Sequence, residues 1–523
     1  MAHTLNITSA AFTTINLTAG NRRLLGYVPG SSSGPTITET IEVIFEEVTI
    51  PDFMAAVRLI EQAIRLAERR ADKRRGERVY LNFQPTNAAA EYRAEIVRER
   101  PGVPAGMVVY PPETLSWPWG TYKIRAQIIL TRVNEWTASA ETELSLANGG
   151  GSGAGGRVIY NYHTAAVIGP IITISFTAPD TITDAGAGFG GLVAGGVISL
   201  RGSTINDGIY TLATVAAGVI TVNEGTIQNE IAGDNVSIYD IQNYVDIAAA
   251  SIDGDLPAPI RIEFTNTDAV TLETLWMGLA NIGDPWAFAH ILEIGDSDTG
   301  VDAPDATSSS GIKRQYAIGA ANAKVTAWTV PSATLDAAAA GLFRLITRFA
   351  AATAITEVRW SFKLTYLGST LWESGQVLFD DTYAAISRIV REIDTVQLPP
   401  DDLQGLTPTD LTLELWAVRT GAAVTVDIDC VAPVPLDSFR RIRSIDGVLQ
   451  NSILIDDGIL GTVYQSVSGE IVKDLAVSGK PLLLWPNADH RIIFLQHALT
   501  ANTAAHDRSA SVRIYYRPRK SAL

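Results

Sequence analysis

The sequence predicts a mainly-β chain of several domains: an α+β sandwich with one helix, then a small β-module, then a jelly-roll β-sandwich. Three observations predict it. Runs that alternate apolar and polar residues recur along the whole chain, as in TEVRWSFKLTYLG and AVTVDIDCVAP. Only one stretch, PDFMAAVRLIEQAIRLAERRADKRRG, carries the 3.6-residue apolar period of a surface helix. Apolar residues make up 46% of the 523 and charged residues 18%, which is the composition of a folded chain too long for one hydrophobic core.

Residues 1–147 read as the α+β domain. Strand-like pieces surround Leu5 and Ile15, and the Gly/Ser stretch GYVPGSSSGP reads as a loop or arm, taken as residues 26–40. The strand TIEVIFEEVTI leads into the helix, where Phe53, Val57, Ile60, Ile64 and Ala67 form one apolar stripe. Asp52 opens that helix, and Arg69, Arg70, Lys73, Arg74 and Arg75 precede Gly76 at its end. Such polarity suits the helix dipole and a glycine C-cap, so the basic cluster reads as a solvated helix end before it reads as a nucleic-acid contact. VYLNFQP, YRAEIVRER and YKIRAQIILTRVNEWT then alternate as strands.

NGGGSGAGG, residues 148–156, has the composition of a flexible linker. Residues 157–242 form the small all-β module, centred on GSTINDGIYTLATVAAGVITVNEG. There Asp207-Gly208 is expected to supply the positive φ of a tight hairpin, and Ile220 and Val222 share one face. Residues 243–437 hold the strands PIRIEFTN, LETLWMGLA, GLFRLITRF, TEVRWSFKLTYLG, DLTLELWAV and AVTVDIDCVAP, with no helical period, and read as the jelly roll. Residues 438–523 add strands that complete an earlier sheet or form a small domain.

The formal charge is −16, from 56 acidic and 40 basic residues. This balance argues against gripping a phosphate backbone, which needs clustered Lys and Arg; an acidic wall that repels nucleic acid remains compatible with it. The single cysteine, Cys430, excludes an intrachain disulfide and sits in an alternating run as a buried small residue. The first residues lack the basic and apolar regions of a signal peptide, and no run of about 18 apolar residues is long enough to span a membrane.

Chemistry-bearing motifs are scarce. GAGFGG, with Gly186, Gly188 and Gly191, matches GxGxxG formally, but no helix follows to receive a phosphate. The six histidines are scattered. The loop GDSDTGVDAPD offers Asp296, Asp298 and Asp302 as candidate ligands for calcium, although Thr307 stands where an EF-hand has its closing Glu. Trp286 and Trp372, near turns, are candidate platforms for stacking on sugar rings. No nucleophile, acid/base pair or cofactor loop stands out, and the chain reads as a non-enzyme with no cofactor other than that calcium candidate.

Three stretches carry a resemblance. The order of strand, the helix TIPDFMAAVRLIEQAIRLAERR, then VYLNFQP, YRAEIVRER and IILTRVNEW resembles the tail-tube-type domain of long-tailed bacteriophages. GSTINDGIYTLATVAAGVITV is similar to small β-modules of phage structural proteins, and the run from GDLPAPIRIEF to VTVDIDCVAPVPLD resembles the galectin-like sandwich that follows a tail domain. The order is closest to a distal tail protein, from which this chain departs by inserting 157–242. The resemblance implies a virion protein of the tail, made in the host cytoplasm. It implies a homo-oligomeric ring of about six copies, other tail proteins as partners, and a host surface glycan as a possible ligand of the sandwich. A decorated tail-tube subunit and a host-attachment lectin with no ring role are the alternatives. Candidate inter-subunit contacts are the arm and the loop PGVPAGMVVYPPETLSWPWG, whose Val108, Val109, Trp117 and Trp119 are apolar.

Overall fold

A computed structural model describes the chain except for residues 1–2, 31–33, 74–76, 87–89, 113–119, 147–155, 282–291, 294–299, 306–307, 309–310, 330–340, 352–357, 367, 379–388, 399–410, 437, 468–469, 473–474 and 499–507. The protein is mainly β, built of several sheets, and its one long helix is the one the apolar period predicts. The chain divides into two compact units. Met1–Thr142, Ile252–Ala258 and Tyr515–Leu523 form the first; Glu143–Ser251 and Pro259–Ile514 form the second.

In the first unit the strands are β1 (Thr4–Ser9), β2 (Phe12–Asn16), β3 (Arg22–Leu24), β4 (Thr36–Val48), β5 (Tyr80–Gln84), β6 (Tyr92–Glu95), β7 (Gly106–Val109), β8 (Tyr122–Val133) and β9 (Trp136–Ala138), with α1 (Ile50–Lys73) after β4. One sheet runs β2-β1-β5-β6-β9 and ends on Arg519–Lys520; the other runs β3-β4-β8-β7. Alternation decides the buried face: Ile41, Val43 and Phe45 of β4 and Ile124, Ala126, Ile128 and Leu130 of β8 are in the core. The helix buries Phe53, Val57, Ile60, Ile64 and Ala67 as its spacing predicts. It starts with a capping pair, in which Thr49 Oγ1 donates to Asp52 Oδ2 (2.6 Å) and accepts from the Asp52 N–H (3.3 Å). Phe53 seats the helix on the sheet through edge contacts with Phe45 and Tyr110, ring centroids 5.1 and 5.4 Å apart. At its far end Arg70 pairs with Glu95 (3.2 Å), so part of the basic cluster has a structural use; Arg74, Arg75 and Gly76 lie outside the described residues.

The second unit contains three sheet systems. The module's seven-stranded sheet joins His163–Ile171 to Val236–Ile241, then Val197–Arg201, Gly208–Ala216, Val219–Val222, Thr181–Asp184 and Ile174–Thr177. Its core contains Ile182, Ile198, Leu200, Ile220, Val222 and Ile238. Gly208 does not have the positive φ expected of it: it opens a strand, and Gly202 (φ 92°) takes the left-handed position instead. Asp207 serves the turn through its carboxylate, which accepts the Ser203 N–H (2.8 Å).

A sandwich follows in which Ala258–Asn266 pairs with Ile453–Asp457, and Leu272–Asn281 lies between Phe439–Val448 and His490–Ala498. Phe264 of one sheet meets Phe494 of the other, 6.2 Å between ring centroids. Strands from 438–516 thus complete sheets begun near residue 258. Between Leu272–Asn281 and Phe439–Val448 the chain builds another sandwich. One of its sheets centres on Val424–Pro435 and Gly341–Ala351, the other on Leu411–Arg419 and Val358–Tyr366. Trp360, Phe362 and Leu364 fill its core, with Trp360 4.9 Å from Phe349, and Cys430 is buried.

Candidate assembly edges

The four-stranded sheet of the first unit is antiparallel throughout. Arg23 stands opposite Ile44, Glu42 opposite Gln127, and Ile129 opposite Met107. β3 and β7 end the sheet, and among the described residues no strand pairs with the outer edge of either. Such edges present unsatisfied backbone donors and acceptors.

The sheet's face away from the core carries Glu42 and Glu46 on β4 and Lys123, Arg125 and Gln127 on β8. Arg125 pairs with Glu42, Lys123 with Glu46 (3.2 Å) and Arg23 of β3 with Glu46 (2.8 Å). Gln127 donates to Glu42 (2.9 Å), and this bond, with Arg125, holds the Glu42 carboxyl below the usual range. The net charge of −16 is therefore not concentrated here. Glu42 and Glu46 on this face each have a basic partner.

After β3 the chain stays beside β4. The Leu25 N–H donates to Glu42 O (3.0 Å), Gly26 turns with φ 128°, and the Tyr27 hydroxyl donates to the Glu39 carboxylate. The Gly30 N–H also donates to Glu39 (2.8 Å), while Arg132 donates to Gly30 O (2.9 Å) and pairs with Glu39. Arg132 stacks 4.2 Å over Trp136, and burial beside Glu39 pushes the Tyr27 hydroxyl pKa far up. A Cβ on Gly30 would stand 2.7 Å from Ile37 Cδ1, so a larger residue there would have to displace the end of that side chain. The arm's root is thus fixed to a buried ion pair. Around it, large apolar side chains are exposed: Leu25 by 45%, Val28 by 84%, Met107 by 50% and Val109 by 43%.

Of the contact candidates read from the sequence, Val109 is exposed, whereas Val108 packs against the core. Trp117 and Trp119 lie outside the described residues, as do Trp286, Asp296 and Asp298. Asp302 stands on the strand Val301–Pro304, opposite Arg314. Among the described residues no group of three His, Cys, Asp or Glu side chains could hold a metal ion. Trp372 pairs across from Leu364 and packs, half-buried, against the core. The one exposed tryptophan among the described residues is Trp485 (56%), which sequence reasoning missed. Its turn, WPNADH, is braced by the Trp485 N–H donating to His490 Nε2 (2.9 Å), on an imidazole that burial keeps below its ordinary pKa. Pro486 and the polar residues around it were the available signal.

The GAGFGG loop is filled by its own acid. Asp184 accepts from the Gly186 N–H (2.9 Å), the Gly188 N–H (2.8 Å) and Thr173 Oγ1 (2.5 Å). Those N–H groups would have to face a phosphate, so the nucleotide reading fails. Among the described residues, no helix is long and apolar enough to cross a membrane.

No protein-family model matches the chain, and no curated protein does. Among solved structures, it is similar to the infectious bursal disease virus VP2 subviral particle at 8% identity and a TM-score of 0.16, over 69% of this chain and 81% of that one. The structure of the infectious bursal disease virus Gt strain gives 8% and 0.15, over 71% and 85%. Dimeric latent PorU from Porphyromonas gingivalis gives 9% and 0.14, over 70% of this chain and 32% of PorU. Likeness at these scores carries no functional inference.

Proposed function

We propose that the chain is a structural subunit of a virion, assembling from copies of itself through its N-terminal unit. One observation carries this reading: an antiparallel sheet of four strands, β3-β4-β8-β7, with neither edge paired among the described residues. Because the number is even, the edge strands run in opposite directions. β7 of one copy therefore meets β3 of the next in antiparallel fashion, and every further copy repeats the same junction. A heterologous contact repeated by rotation closes into a ring, which also removes the open edges.

Within that reading, the strand, helix and strand order of residues 40–133 favours the tail of a long-tailed bacteriophage and a distal-tail-like ring of about six copies. A decorated tail-tube subunit is the alternative. The sheet face away from the core would line the opening, and its matched charges would let a polyanion pass without holding it. The reading assigns no catalytic step and needs no cofactor. Negative-stain microscopy and native mass spectrometry of the purified full chain test it: closed rings of one size are expected, and monomers at every concentration would end it.

A second reading, glycan attachment by the second unit, draws support from Trp485 alone. Its exposed ring stands on a braced turn beside Asn487, and a pyranose can stack on such a face. Glycan-array binding by the full chain that Trp485→Ala abolishes is the expected result; a blank array discards it.

A further inference from the structure

We infer that the segment Leu25–Val28 of one copy seats on β7 of the next copy, with Leu25 covering Val109 and Val28 covering Met107. This rests on the assembly reading and names its contact.

The sheet's own register points there. β3 has three residues and β7 four, but the chain after β3 continues along β4, with the Leu25 N–H bonded to Glu42 O. Glu42 pairs with Gln127, and Gln127 with Val109, so Leu25 and Val109 end the same row of the sheet on opposite edges. Both carry exposed apolar side chains. Residues 22–25 therefore form one edge, longer than β3 alone, with Leu25 in the row of Val109 and Val28 just past it.

The mount is rigid. Val28 lies between Tyr27, buried and bonded to Glu39, and Gly30, whose N–H and carbonyl are held by Glu39 and Arg132. A valine 84% exposed on an anchored segment has already lost the backbone freedom that a loose arm would lose on binding. A second copy is the occupant because β7 needs an antiparallel neighbour with apolar side chains, and the β3 edge of this same chain has that direction and that chemistry. The unit's other sheet edge supplies no such pair of exposed residues: β2 holds Phe12 against the core.

Cysteine pairing tests this in the full chain, where the sole native thiol, Cys430, is buried and leaves the background clean. Leu25→Cys with Val109→Cys, which the register puts in one row, should give intermolecular disulfides on oxidation, in a ladder ending at the ring size. Leu25→Cys with Ile231→Cys, an exposed position in the module, should give none. Independently, Val28→Asp should raise the concentration of half-assembly by ~tenfold or more, equivalent to about 1.4 kcal/mol per contact, with the monomer's melting temperature unchanged; Ile231→Asp should leave assembly as it is. Rings that form without the 25–109 crosslink and tolerate Val28→Asp overturn the inference and leave the assembly reading standing. No assembly of the parent chain at any concentration removes both.

Discussion

Glu39 and Arg132 form an ion pair in the interior of the first unit, each at an inward position of its strand and each nearly removed from solvent. Charges so buried are costly unless paired and hydrogen-bonded. Here Glu39 also takes Tyr27 and Gly30, and Arg132 also reaches Gly30 O, Val133 O and Asn134 O. The pair therefore couples the stability of the sandwich to the placement of the arm. Glu39→Gln keeps the shape and strands the guanidinium without a counter-charge. A loss of about 3–5 kcal/mol in denaturant unfolding of the first unit is expected, together with faster hydrogen exchange at the Gly30 amide. Unchanged exchange there would mean that the arm is held by something else.

In the module, burial raises the Asp240 carboxyl to about 6, against the opposing effects of Gln242, which donates to it (2.6 Å), and of Arg157. The folded state therefore holds a proton that the unfolded chain releases near its ordinary value of 3.8. That contribution to stability is complete below about pH 4 and is lost as pH rises through about 6. Asp240→Asn should stabilise the second unit at pH 7.5 by up to about 2–3 kcal/mol and make no difference near pH 4. Thermal melts at the two pH values check it, and equal shifts at both would refute the linkage.

Asp184 has the opposite sign. Burial works against its ionisation, but the bonds from Thr173, Gly186 and Gly188 prevail and hold the carboxyl below the usual range. Its contribution is present above about pH 4 and disappears as pH falls through the lowered value. Asp184→Ala should cost about 1–3 kcal/mol at pH 7, because two loop amides lose their acceptor. The penalty should shrink on acidification, and chemical denaturation at pH 7 and pH 3 reads it.

How far these features were legible depends on their range. The helix and its stripe follow from local period, and the faces of β4, β8 and Val358–Tyr366 follow from alternation. Partnership does not: Leu272–Leu279 is buried on both faces, and nothing local shows that His490–Ala498 lies beside it. Trp372 stands near a turn in the sequence, yet the strand it joins sets it across from Leu364 and packs it, half-buried, on the core. Gly208 was assigned the left-handed turn that Gly202 adopts, since sequence marks a turn better than its geometry. One signal went unused. Glu39 shares parity with Ile41, Val43 and Phe45, and Arg132 with Ile128 and Leu130. Opposite charges at inward positions of two strands announce a buried pair.

Trp372 and Trp485 separate a structural aromatic from an available one. Trp372 packs on the core of the sandwich beside Leu364, so Trp372→Ala opens a cavity there and should cost about 2–4 kcal/mol, given that the ring is only half-buried. Trp485 stands largely in solvent, and its brace to His490 uses the backbone N–H, which alanine keeps. Trp485→Ala should therefore change stability by no more than about 0.5 kcal/mol. Differential scanning calorimetry of both variants distinguishes them. A large loss at Trp485 would show that its exposed ring is covered by structure, and with it the glycan reading would lose the one exposed tryptophan among the described residues.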